Sequence, residues 1–239
     1  KRIYLFFIIF IFYSLIFCQT NQWQSWQYDK NILSIAAQGR FIWLGSNIKG
    51  LIRMDTITNE KIFYNTSNSP LPSNCVSFIK IDYNGNIWTN AGGLTCFDGI
   101  NWTIFTHNNS NLPECNIVEF DFDHSGNIWA ATDIGLVKFD GVTSTVYDSS
   151  NSGLPYDSYY QNRKNCVSVD SSGKVWVSNV SVLNWSITSY YNGLWQTYNM
   201  TQLGLYDNFI PVYCLEIDFY DTLWIGTGYG GLVHKVAKG

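Results

Sequence analysis

DYNGNIW, Asp82 to Trp88, returns forty-one residues later as DHSGNIW, Asp123 to Trp129. The first residue of this heptad suits a side-chain cap on a tight turn. The Gly at its fourth place supplies a positive φ, and the closing Trp opens a strand with a ring that packs against a neighbouring sheet. The heptad's Trp recurs along the chain as Trp43, Trp88, Trp129, Trp176 and Trp224, at spacings of 45, 41, 47 and 48 residues. A period of this length marks a repeat architecture.

Each repeat divides in the same way. The second reads CVSFIKID, YNGN, IWTN, AGG, LTCFD, GI, NWTIFT: four short alternating runs parted by Gly and Asn turns, the pattern of a four-stranded antiparallel meander. The first unit is worn, with Ala37 in line with Asp82, Asp123, Asp170 and Asp218 of the others. Loops between units repeat too, as NSPLPSN, NSNLPECN and NSGLPYDS. A sheet of this size cannot bury both faces alone, whereas sheets stacked around an axis can. The expected fold is therefore all-β, a β-propeller of five four-stranded blades. The last unit ends after its third strand, and SWQY, Ser25 to Tyr28, has the character of the outer strands NWTIF and LWQTY. An N-terminal strand joining the last blade is expected to close the ring.

Composition agrees with this reading. The 239 residues are 46% hydrophobic and 17% aromatic, but only 13% charged, about half the usual share of charge. Lys1 and Arg2 precede an apolar run from Ile3 to Phe17. That run is shorter than a membrane span and has the flank of a secretory signal peptide. Residues 1–20 are read as the signal and 21–239 as one propeller domain that is secreted, periplasmic or at the cell surface, with no integral membrane span after cleavage. Bulky Phe17 before Cys18 argues against a lipid anchor. Loss of the leader takes the formal charge from −4 to −6, and an acidic, Arg-poor chain does not suit a phosphate backbone, so nucleic acid is set aside. The five cysteines left are scattered without a CxxC pair, as small buried apolar residues are.

Propellers bind through connecting loops on a rim or at the axial opening. Loops between strands two and three share a face with loops between blades, and both are swollen in the fourth unit, over Leu154 to Asn165 and Ser178 to Thr188. Tyr156, Tyr159, Tyr160, Arg163, Trp185 and Tyr190 are the candidate ligand-binding residues, rings with polar neighbours that suit a glycan or a protein partner. Packing of these rings within their own loops is the competing reading.

Catalysis finds less support. Arg40, Arg53 and Arg163 are the only arginines after the leader, and His107, His124 and His234 fall at different places in different blades. No catalytic residue is assigned. The Asp and Asn oxygens of DFDHSGN have the character of calcium ligands, but the EF-hand glutamate is missing and the Asp already caps a turn. No metal or cofactor is expected.

The ordered elements D-x-x-G-N-[IV]-W, G-L-x-[RK]-[FM]-D and N-S-x-L-P resemble the two-component-regulator propeller repeat. They are carried by Asp82, Gly85, Trp88, Asp123, Gly126, Trp129, Gly153, Leu154, Pro155, Trp224, Gly226 and Thr227. The resemblance implies an extracytoplasmic propeller of the kind found in the sensory half of membrane-bound histidine kinases, often linked to carbohydrate. The expected role is a non-catalytic recognition module. A piece of a larger propeller sensor and a propeller hydrolase or lyase acting on polysaccharide are the alternatives.

Overall fold

The computed structural model describes residues 31–156, 164–181 and 184–235. They form nineteen strands and no helix, gathered into five antiparallel sheets. Blade 1 holds β1 (Ile32–Gln38), β2 (Phe41–Ser46), β3 (Leu51–Asp55) and β4 (Lys61–Tyr64). Blade 2 holds β5 (Ile79–Ile81), β6 (Ile87–Thr89), β7 (Leu94–Phe97) and β8 (Trp102–Phe105). Blade 3 holds β9 (Ile117–Phe122), β10 (Ile128–Thr132), β11 (Leu136–Phe139) and β12 (Ser144–Tyr147). Blade 4 holds β13 (Lys164–Val169), β14 (Val175–Asn179), β15 (Ser186–Tyr191) and β16 (Leu194–Asn199). Blade 5 shows β17 (Val212–Ile217), β18 (Leu223–Thr227) and β19 (Leu232–Lys235). Each sheet runs in chain order, so every blade is a meander, and the whole is a five-bladed β-propeller.

The heptad does what its residues demand. Asp82 Oδ1 accepts from the Asn84 and Asn86 amides at 2.9 and 2.8 Å, and Gly85 takes φ +84°. The second carboxylate oxygen accepts from the indole of Trp88 at 2.9 Å. Asp123, Asp170 and Asp218 hold Trp129, Trp176 and Trp224 in the same way, at 3.0, 3.3 and 2.8 Å. The worn first unit needs a correction. Ala36 pairs with Trp43, as Lys80 does with Trp88, so its turn is one residue shorter. The counterpart of Asp82 is therefore Gln38 rather than Ala37.

The anchored indoles build the seams between blades. Trp43 packs with Leu71, Val76, Ile79 and Ile87, the last three from blade 2 or the loop that enters it. Trp88 meets Phe122 of blade 3 at 5.7 Å between ring centroids. Trp129 sits among Val167, Val169, Val175 and Val177 of blade 4, and Trp176 among Val212, Leu215, Leu223 and Ile225 of blade 5. The Leu of each repeated loop, Leu71, Leu112 and Leu154, is buried in these seams, which explains why that loop repeats with the strands.

The outer strand expected from residues 25–28, and the ring closure expected of it, lie outside the described residues, as does the leader. Leu33 and Ile35 are 50% and 65% exposed, and Leu232 on the last blade 66%. No helix among the described residues is long and apolar enough to cross a membrane.

Candidate functional site

Strand and turn positions that repeat make the framework, and those that vary line the axis. In each blade the residue after the turn Asp, and the residue two before it, emerge at the same end of the inner strand. These are Tyr83, His124, Ser171 and Phe219 in the first tier, and Lys80, Asp121, Ser168 and Glu216 in the second. All eight line one cavity of about 520 Å³, shared by blades 2 to 5. Two residues further back stand Phe78, Glu119, Cys166 and Cys214. Blade 1 carries Gly39, Ala36 and Ser34 at the matching places and adds no charge.

Lys80 reaches from β5 across the seam to Asp121 on β9, with Nζ 3.1 Å from Oδ1. Asp121 is buried and also accepts from the Phe122 amide at 2.8 Å and the Val169 amide at 3.0 Å. One carboxylate thus ties three blades together. Burial pushes the Lys80 ammonium down, but Asp121, Glu216 and Glu119 outweigh it and hold the group above its ordinary value. Glu119 behaves oppositely. Burial, with Asp121 and Glu216 adding to it and Lys80 opposing, lifts its carboxyl to about 8. Around the mouth, the Tyr83 hydroxyl and His124 Nδ1 lie 3.2 Å apart, with their rings edge to face. Asp221, at φ +59° where the other turns have Gly, accepts from the Ser171 amide at 2.9 Å and from its hydroxyl. Phe219 is 95% exposed beside it.

The cavity was not among the expected sites. Its signal was present as alternation, since the residue two before each turn Asp is polar in four units, but only the axis brings these residues together. The convergence of Lys80, Glu119, Asp121 and Glu216 also supplies the axial ionisable groups that a count of His and Arg did not reveal.

The rim residues fall as follows. Tyr156 is 63% exposed on the loop entering blade 4, and Tyr159, Tyr160 and Arg163 lie outside the described residues. Trp185 is half-buried against the seam of blades 4 and 5. Tyr190 stands five residues further along β15, packed on Trp195 at 4.5 Å and Trp129 at 5.5 Å, so it belongs to a seam and not to the rim beside Trp185. The swollen loop is also shorter than Ser178–Thr188, because Ser178 and Asn179 end β14 and Ser186 opens β15.

The extracellular domain of a B. thetaiotaomicron protein named as a hybrid two-component system superposes with a TM-score of 0.69 at 22% identity, over 92% of this chain and 30% of that one. The extracellular domain of another, named as a one-component system, gives 0.67 at 16% identity, over 89% and 28%. Virginiamycin B lyase from Staphylococcus aureus gives 0.63 at 13% identity, over 88% and 71%. No family model and no curated protein matches the sequence. The shared property is the fold, a β-propeller. The chain spans under a third of the length of the first two structures.

Proposed function

We propose that this chain is an extracytoplasmic recognition module, a propeller of the sensor type that takes its ligand at the axial cavity. The observation that carries this reading is the convergence of the eight variable positions of four blades on one pocket of about 520 Å³, a volume typical of small-molecule sites. The framework residues hold the blades, which leaves these positions free to differ. The extracellular domains among the similar structures and the leader-like N-terminus support an extracytoplasmic place. The rim of blade 4, with Tyr156, Tyr159, Tyr160, Arg163 and Trp185, is proposed as a second contact surface for a glycan or protein.

A titration of oligosaccharides, amino acids, amines and short peptides against the parent protein, the double variant Tyr83→Ala/Phe219→Ala and Trp185→Ala tests the reading. Binding lost in the axial variant and kept in Trp185→Ala supports it. Binding indifferent to the axial pair overturns it.

A hydrolase or lyase is the second reading, and Glu119 favours it. A carboxyl lifted to about 8 beside an ammonium has the character of a general acid. Release of new reducing or unsaturated ends from polysaccharide, abolished in Glu119→Gln, would establish it.

A further inference from the structure

Resting on that reading, we propose that the axial cavity selects an organic ammonium ion, its charge set against Glu216 and its carbon groups against Tyr83 and Phe219. The argument starts from which charges are already in use. Lys80 is matched by Asp121 at 3.1 Å. Asp218 is taken up by the Tyr220 and Thr222 amides and the Trp224 indole, and Asp221 by Ser171. The Glu216 carboxylate, exposed at the wall, has no hydrogen bond or ion pair among the described residues. An anionic ligand would therefore meet uncompensated carboxylate, with the one lysine of the cavity already paired.

A metal ion fits poorly. Among the described residues no three His, Cys, Asp or Glu side chains are grouped to hold one, whereas hard cations require several oxygens at once. The mouth instead offers ring faces. Tyr83 and Phe219 come from equivalent places on blades 2 and 5 and stand 68% and 95% exposed, and aromatic faces attract alkylammonium groups.

The protonation of Glu119 agrees with this charge balance. It faces Lys80 from β5, Asp121 from its own strand, Cys166 and the Val167 amide from β13, and Glu216 from β17. A cation entering beside Glu216 would favour the charged carboxylate and release a proton. Affinity should then rise between about pH 6 and 9, across the value near 8.

Three probes of nearly one shape separate charge from shape: choline, 3,3-dimethylbutan-1-ol and 3,3-dimethylbutanoate, titrated by calorimetry or ligand-observed NMR. Choline is expected to bind at least about tenfold tighter than the neutral alcohol, and the carboxylate not to bind. Glu216→Gln should erase most of that preference, and Glu119→Gln should flatten the pH dependence. Equal or better binding of the alcohol or the carboxylate overturns the proposal, as does the absence of saturable choline binding. If an uncharged sugar or peptide binds and is lost in Tyr83→Ala/Phe219→Ala, the ammonium assignment falls while the axial recognition site stands.

Discussion

The indole nitrogen of Trp43 donates to Gln38 Oε1 at 3.0 Å, so the unit that has lost its turn Asp keeps the anchor with a different residue type. The amide does more than replace a carboxylate. Gln38 Nε2 donates to the carbonyl of Gly85 at 2.7 Å, in the heptad turn of the next blade. A carboxylate has no proton to make that second bond.

Gln38→Ala should therefore cost two hydrogen bonds, about 2 kcal/mol of unfolding free energy, and Gln38→Glu about half of that. Asp123→Ala should cost at least as much, since it strips an acceptor from Ser125, Asn127 and Trp129. Urea midpoints at constant m-value measure both. If Gln38→Ala is neutral, the seam between blades 1 and 2 rests on apolar packing alone.

Gly153, in the repeated NSGLP loop, stands where a Cβ would lie 2.3 Å from Cβ of Trp195. Both atoms sit close to backbone and neither can swing away. Gly153→Ala is expected to destabilise by about 1–3 kcal/mol and to alter the near-ultraviolet signal of Trp195. An unchanged melting temperature would show that the loop shifts freely.

Glu119 makes stability fall with rising pH. Its carboxyl is held at about 8 in the folded chain against an ordinary 4.5, so between those values the native state binds the extra proton and each rise in pH favours unfolding. Melting temperatures should decline from about pH 5 to 8, and Glu119→Gln should remove most of that slope. A slope unchanged in the variant would mean that Glu119 is ionised in the fold.

Thiol reactivity should follow burial. Cys75 and Cys214 are exposed and Cys166 is buried. Burial pushes the Cys166 thiol far up, Cys96 to about 12 and Cys115 to about 11, with nearby carboxylates adding to each. An aromatic disulfide reagent at pH 8 should label Cys75 and Cys214 at once and Cys166 only after denaturation. Prompt labelling of Cys166 in native protein would show that the inner strand of blade 4 opens readily.

Much of this architecture was legible because it is local. A turn Asp, a Gly at positive φ and a Trp six residues after the Asp all act within one hairpin, so their chemistry survives translation into a string of letters. The repeated Leu of the loops was legible as a pattern, although its place in the seams was not. Gln38 shows where the reading slipped. One missing turn residue shifted the alignment onto Ala37, and only the pairing of Ala36 with Trp43 reveals the true counterpart.

The rim candidates separate for a similar reason. Trp185 and Tyr190 look close in the chain, but an extended strand advances about 3.3 Å per residue and carries Tyr190 into the seam with Trp129 and Trp195.

From the sequence alone came the repeat, the all-β meander and the Asp-capped turns, because hydrogen bonds within a hairpin and strand alternation depend on neighbours along the chain. The axial cavity was decided by the tertiary structure. Lys80, Asp121 and Glu216 sit forty or more residues apart, and what each does depends on charges and burial that arise only when separate blades bring their inner strands to a common axis.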